Sequence, residues 1–366
     1  MFQILSIETI GIFGFEGWSG RKRIISQKRR MEKEVMNRIV DAMPMARKLI
    51  NSCMGVQAGE EVFIAVDTET DMTMPRALAG AALECGAEFT IAMMPSRTME
   101  EDSTSMTKVI KKGMEGADVF IGMTRSSGAA IYDSKLKELL DENKLRECSM
   151  VMRDLDNYTK GGALADYEEV YRDGQKLAEF WEGKKHIKIT TPAGTDLESV
   201  IGHGHAIIEC GIARNPGDAM AFSDGEVSQG PDEGTMNGTL VIDGPICLLG
   251  APSEPIRMTI KKGKIVSIDS GDKKIVNRLR QIIEEVPNAD NIAEIGIGLN
   301  PCSLQNGDFE EEKKARGTCH IALGNNLYYD GTTDCGVHMD MIQYKPTILM
   351  DGIEVVKDGK VVLLGD

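Results

Sequence analysis

No C-x-x-C pair occurs among the eight cysteines of this 366-residue chain (Cys53, Cys85, Cys148, Cys210, Cys247, Cys302, Cys319 and Cys335). That scatter argues against a disulfide framework and for reduced thiols in a cytoplasmic protein. A basic surplus is missing too: 42 Lys and Arg face 57 Asp and Glu, a formal charge of −15. A phosphate backbone needs clustered cations, so the charge argues against a nucleic-acid partner. No stretch is long and apolar enough for a membrane span. Neither G-x-G-x-x-G after a strand nor G-x-x-x-x-G-K-[ST] occurs, so nothing points to a nucleotide. Histidine is scarce, at five residues, and its placement therefore carries weight.

What is present reads as an ordinary globular composition, 42% hydrophobic and 27% charged, in a chain long enough for two domains. Residues 1–30 differ from the rest. Their apolar part, broken by Glu8, Glu16 and glycines, precedes a basic cluster, which reverses the order of a secretory signal. We expect a flexible N-terminal extension there, with Met31 a candidate natural start.

Residues 31–185 alternate helical and strand patterns. An amphipathic stretch ending at Gly55 contains Pro44, and short apolar strands ("VFIAVD", "EFTIAMM", "DVFIGM", "CSMVMRD") alternate with helices such as "SKLKELLDEN". Strands separated by helices predict an α/β, Rossmann-like domain, a parallel sheet with flanking helices. From His186 to residue 366 short strands dominate, and "IKKGKIV" and "VKDGKVV" read as hairpins with Gly at the reversal. This half is predicted to be an α+β, strand-rich domain that carries the chemistry.

Four segments of the second half pair glycine-rich backbone with a metal-capable side chain. "FSDGEVSQGPDEGTMNG" offers Glu226, with Asp224, Asp232 and Glu233 as competitors. "AEIGIGLNP" offers Glu294, "GTCHIALG" His320, and "HMD" both His338 and Asp340. Residues i and i+2 of a strand project from one face, so His338 and Asp340 can address one point. Two imidazoles and three carboxylates suit one divalent ion or a bridged pair.

Ordinary alternatives exist for each residue. An acid in a Gly-rich loop, such as Glu226, is usually solvated. A strand-end glutamate such as Glu294 is often a surface or capping residue, and His320 lies in an apolar run where a core histidine is as natural as a ligand. His203 and His205 in "IGHGHAII" have no carboxylate cluster in their segment and read as structural or peripheral. Cys302, Cys319 and Cys335 read as small packing residues, and the 22 methionines as core filler.

Taken together, the segments resemble the aminopeptidase T family, the leucyl-aminopeptidase-like metallopeptidases. The likeness runs from about Gly55 to the C-terminus through "GVQAGEEVFIAVD", "PAGTDL", "GEV…NGTLVIDG", "EIGIGLNP", "GTCHIALGNN" and "HMDMI…PTILMDG" in that order. The resemblance implies two divalent ions (Zn, Co or Mn) bound by Glu226, Glu294, His320, His338 and Asp340. It also implies a tyrosine after the first histidine that steadies an oxyanion, here Tyr328 with Tyr329 adjacent, and a carboxylate such as Glu226 or Glu294 that shuttles a proton. The family's dimer encloses its site, so a homodimer is implied.

That resemblance makes a cytoplasmic aminopeptidase-like hydrolase the leading expectation, acting on an N-terminal peptide bond or related amide of a small substrate. The stretch between His320 and His338 is shorter than in the peptidases, so the pocket and substrate should differ. A compact branch of the same superfamily is similar to the 2,5-dihydroxypyridine dioxygenases, which use one Fe(II). His320, His338 and Asp340 could supply a two-histidine, one-carboxylate triad for that alternative. Those dioxygenases replace the glutamate of the "EIGIG" segment with histidine, so Glu294 favours the hydrolase. A third reading, of another class, is a catalytically silent metal- or ligand-binding protein.

Overall fold

Residues 38–97, 105–125, 127, 130, 133–151 and 153–366 are described by a computed structural model; the expected extension, 1–30, lies outside them. Helix α1 covers 38–47, passing through Pro44, and closes in a π-helical segment, Lys48–Cys53. Gly55 follows at φ 59°, a left-handed conformation that ends the helix without a Cβ penalty.

The predicted alternation then unfolds in order: β1 (Glu61–Asp67), α2 (Thr73–Glu84), β2 (Glu88–Met94), α3 (Lys108–Met114), β3 (Val119–Met123), α4 (Ser134–Asp141), β4 (Arg146–Ser149) and α5 (Tyr167–Trp181). Helices α3, α4 and α5 start on side-chain caps from Thr107, Asp133 and Asp166. Strand β4 begins before the apolar run "CSMVMRD" because its two charged residues are buried. Arg146 makes that possible by forking onto Glu60 at 2.9 and 2.7 Å and donating to the Met54 carbonyl at 2.8 Å. Strand β2, read from the sequence as an apolar strand, is mostly exposed because it forms the sheet edge.

After α5 come β5 (His186–Thr190), β6 (Asp196–Val200), β7 (Ile207–Glu209), β8 (Ala219–Ala221), β9 (Glu226–Gln229), β10 (Asn237–Ile242), β11 (Ile256–Lys261) and β12 (Lys264–Ser270). Then follow α6 (Lys273–Glu285), β13 (Ile292–Gly298), α7 (Phe309–Glu312), β14 (Cys319–Gly324), β15 (His338–Gln343), β16 (Thr347–Met350) and β17 (Ile353–Val356). The "IKKGKIV" reversal is the β11–β12 hairpin, turning at Lys262 and Gly263 with φ 50° and 70°. In "VKDGKVV" the turn forms at Asp358 and Gly359, but only the Lys357–Lys360 bridge follows it.

Three sheets result. The first is parallel, in the order β2-β1-β3-β4-β8, its last strand supplied by residues 219–221. Separate apolar clusters bury its two faces, as a parallel sheet requires. A seven-stranded sheet runs β12-β11-β10-β6-β5-β16-β17, and a five-stranded antiparallel sheet runs β15-β14-β13-β9-β7. These share one apolar core with α5 and α6. The observed architecture is therefore the expected one, an α/β layer joined to a strand-rich α+β half. Among the described residues, no helix is long and apolar enough to cross a membrane.

Candidate metal centre

The five-stranded sheet sets the site by its register. Glu226 faces Gly298 and Ser228 faces Gly296 across β9–β13; His320 faces Gly296 and Ala322 faces Glu294 across β13–β14. Across β14–β15, Asp340 pairs with Ala322 and His338 with Gly324. Cross-strand partners share a face. The five sequence-predicted ligands therefore lie on one face of four neighbouring strands, separated by Gly and Ala.

Small residues are what let large ones converge. A Cβ on Gly296 would lie 2.0 Å from both Cε1 and Nε2 of His320, so the imidazole lies across the β13 backbone. A Cβ on Gly298 would stand 2.2 Å from the Ala315 carbonyl oxygen. That glycine admits the segment after α7, which carries Lys313 and Lys314.

Glu294 is the hub. Its Oε1 lies 2.9 Å from His320 Nε2 and its Oε2 lies 2.9 Å from His338 Nε2. Two candidate ligand sets share it: Glu226, Glu294 and His320; and Glu294, His338 and Asp340. In each set one ligand atom per residue lies within 4.8 Å of the others. Glu226, Glu294 and His320 are fully buried, against the ordinary expectation for an acid in a glycine-rich loop.

Whether these residues suit a cation is decided at His338. Its Nδ1 faces the Asn325 carbonyl oxygen at 2.7 Å and must donate to it. In a neutral ring that leaves the Nε2 lone pair facing Glu294 Oε2, with Asp340 Oδ1 at 3.3 Å. Acceptors turned on one another without a proton repel, and a metal ion among them removes the conflict. His320 Nδ1 is buried without a hydrogen bond. The donor set fits a divalent metal.

Two further charges enter that the sequence reading missed. Lys313 Nζ lies 2.9 Å from Asp340 Oδ2 and 3.3 Å from Glu226 Oε1. Lys314 Nζ lies 2.8 Å from Glu226 Oε1 and 2.9 Å from Asp224 Oδ1. Burial opposes ionisation of Asp340, but Lys313 holds its carboxyl down at about 2. Glu226 and Glu294 are likewise held below the usual carboxylate range: burial is outweighed by the lysines and by His320. "FEEEKKARG" reads as a solvated charge run; only the buried positions of Glu311 and Glu312, invisible in the sequence, explain why the lysines turn inward.

The other sequence candidates fall elsewhere. Asp224 accepts from the Gly211, Ala221 and Gly225 amides besides pairing with Lys314. Asp232 pairs with exposed His203, and Glu233 accepts from Thr332 and Asn326. His205 lies at the surface near Glu182. Cys302, Cys319 and Cys335 enter neither ligand set. Of the two tyrosines, Tyr329 stacks on His338 at 6.3 Å and its hydroxyl lies 3.1 Å from Ser228 Oγ. Tyr328 meets Tyr329 edge-on at 5.2 Å.

Two solved structures share this fold. A solved 2,5-dihydroxypyridine dioxygenase from Pseudomonas putida superposes with a TM-score of 0.76 at 20% identity, covering 87% of this chain and 96% of its own. Wild-type AmpT from Thermus thermophilus, an aminopeptidase T, superposes at 0.63 and 16% identity, covering 88% of this chain and 99% of its own. Sequence separates the two. The model of the family described as NicX, 2,5-dihydroxypyridine 5,6-dioxygenase, matches residues 41–363, and the chain belongs to that family. A curated 2,5-dihydroxypyridine 5,6-dioxygenase of P. putida is 26% identical over 190 residues, 49% of this chain. The alignment spans 54% of that relative, about half its length.

The protein is therefore a member of an enzyme family, and the expectation of an aminopeptidase, a protease or any hydrolase is corrected. Its error has a physical origin. The fold is common to both matched structures, and a carboxylate–imidazole face does not by itself choose between water and oxygen as reactant.

Proposed function

We propose that the protein is a ring-cleaving dioxygenase acting on a hydroxylated pyridine of the 2,5-dihydroxypyridine type with a single Fe(II). Membership of the family over 41–363 supports the reaction class. The observation that supports a metal centre is the His338 ring, whose Nδ1 faces the Asn325 carbonyl while its Nε2 faces Glu294 Oε2 at 2.9 Å and Asp340 Oδ1 at 3.3 Å. Glu294, His338 and Asp340 would hold the ion, with His320 on the other oxygen of Glu294. One imidazole and two carboxylates, or two of each, are hard-to-intermediate donors that suit Fe(II).

Iron, when bound, supplies the redox chemistry that lets dioxygen react with an electron-rich ring. In this class of cleavage both oxygen atoms enter the product, one ring bond breaks, and the ring itself is the reductant. The chain's residues prepare that event. Asn325 sets the His338 tautomer, Gly296 makes room for His320, and Lys313 balances Asp340. Tyr329, over His338 with its hydroxyl at Ser228, borders the site and can orient a flat ring.

The test is oxygen uptake. Protein loaded anaerobically with Fe(II) should consume dioxygen only when 2,5-dihydroxypyridine is added, with loss of the ring chromophore in step. The double replacement His338→Ala with Asp340→Ala should abolish both. Uptake that persists in the double variant would remove this site from the account.

A further inference from the structure

The two ligand sets around Glu294 differ in their cations: Glu226 meets two lysines, whereas the other set meets one, Lys313 on Asp340 Oδ2. Lys314 Nζ sits 2.8 Å from Glu226 Oε1 and 2.9 Å from Asp224 Oδ1, and Lys313 Nζ reaches the same Glu226 oxygen at 3.3 Å. The Lys314 side chain is 3% exposed and Glu226 0%, so the contact excludes water. At the other end, His338 and Asp340 keep 11% and 8% exposure, and Lys313 touches only the Asp340 oxygen turned away from His338.

An ammonium offers positive charge and three donors but no vacant orbital for a ligand lone pair. Placed on a carboxylate, it takes the electrostatic part of a metal's role and none of its coordination chemistry. A divalent ion drawn to Glu226, Glu294 and His320 would approach two fixed positive charges in a dry setting, where such repulsion is least screened. The backbone contact between Gly298 and Ala315 keeps the segment that carries both lysines against β13.

We infer that Lys314, assisted by Lys313, is a built-in counter-cation that fills the Glu226 end and limits a two-compartment face to one divalent ion. The inference rests on the single-iron reading above and explains how a ligand set compatible with two ions becomes a centre for one. Glu226 is on this account a partner of lysine, not a metal ligand.

Metal equivalents per chain test it, measured by elemental mass spectrometry after anaerobic loading with excess Fe(II) and desalting. Wild-type protein should retain one equivalent, Lys314→Arg one, and Lys314→Met about two. Adding Glu226→Gln to Lys314→Met should return the count to one. Retention of one equivalent by folded Lys314→Met overturns the inference. Should Lys314→Met not fold, Glu226→Gln alone decides: it should keep one equivalent with affinity within about threefold of wild type, and loss of the metal overturns the inference. Two equivalents in wild-type protein would instead contradict the single-iron reading itself.

Discussion

The imidazole of His320 lies over the backbone of Gly296, where any Cβ would stand 2.0 Å from Cε1 and Nε2. Neighbouring strands thus supply a ligand and the space for it. Gly296→Ala should leave the fold intact, because the position is extended sheet backbone, but must push the ring off Glu294. The expected outcome is a metal affinity lower by about 10- to 100-fold, the range for a lost supporting interaction. Isothermal titration with Fe(II) or Co(II) reads it, and unchanged affinity would show that His320 is not needed for binding.

Glu294 serves both imidazoles, and its replacement should be more severe. Glu294→Gln keeps the shape but removes the charge and turns an amide toward at least one ring. Metal retention after desalting should fall below detection, while the circular dichroism spectrum stays that of wild type. Full retention of metal would contradict the hub role.

Stability away from the site depends on Arg146, whose fork on Glu60 and bond to Met54 tie β4 to the loop after α1. Arg146→Met leaves the Met54 carbonyl and Glu60 without that partner. Removing one member of a buried pair costs about 3–5 kcal/mol, and the partial exposure of Glu60 places the loss near the low end. Urea denaturation should show a loss of about 3 kcal/mol; a change under about 0.5 kcal/mol would mean that water replaces the arginine.

Asp272 caps α6 through the Lys274 and Ile275 amides and accepts from Ser253. Its Ser253 bonds and the helix amides hold the carboxyl down at about 2, from 3.8. A depressed pKa means stabilisation that is present above the unfolded value and lost as pH falls through the folded one. The relevant window therefore runs from about 4 down to about 2. Asparagine also caps helices but does not titrate there, so Asp272→Asn should flatten the acid limb of the urea midpoint against pH within that window. An acid limb identical to wild type would remove Asp272 from the pH dependence.

Much of this was legible because strands write their geometry at period two. The i, i+2 spacing of His338 and Asp340 put them on one face, and the glycine-rich backbone of "EIGIGLNP" singled out Glu294 as a candidate ligand. The inward lysines were not legible, since Lys313 and Lys314 follow three glutamates in sequence and the burial of Glu311, which accepts from the Gly162 and Leu304 amides, appears only in the fold. Nor was the fifth strand of the parallel sheet, whose three residues, Ala219–Ala221, gain identity only by pairing with β4. Glu294 pointed to hydrolysis, and the family match over residues 41–363 overturns that choice; one residue within a shared fold does not fix the reaction.

Oxygen-isotope labelling separates ring cleavage by dioxygen from hydrolysis by water. Fe(II)-loaded protein would turn over 2,5-dihydroxypyridine under ¹⁸O₂ in unlabelled water, and the product would be weighed by mass spectrometry. The expected outcome is a ring-opened product carrying both labelled oxygen atoms. A product that carries no label from ¹⁸O₂, and gains it only from H₂¹⁸O, would rule out ring cleavage by dioxygen.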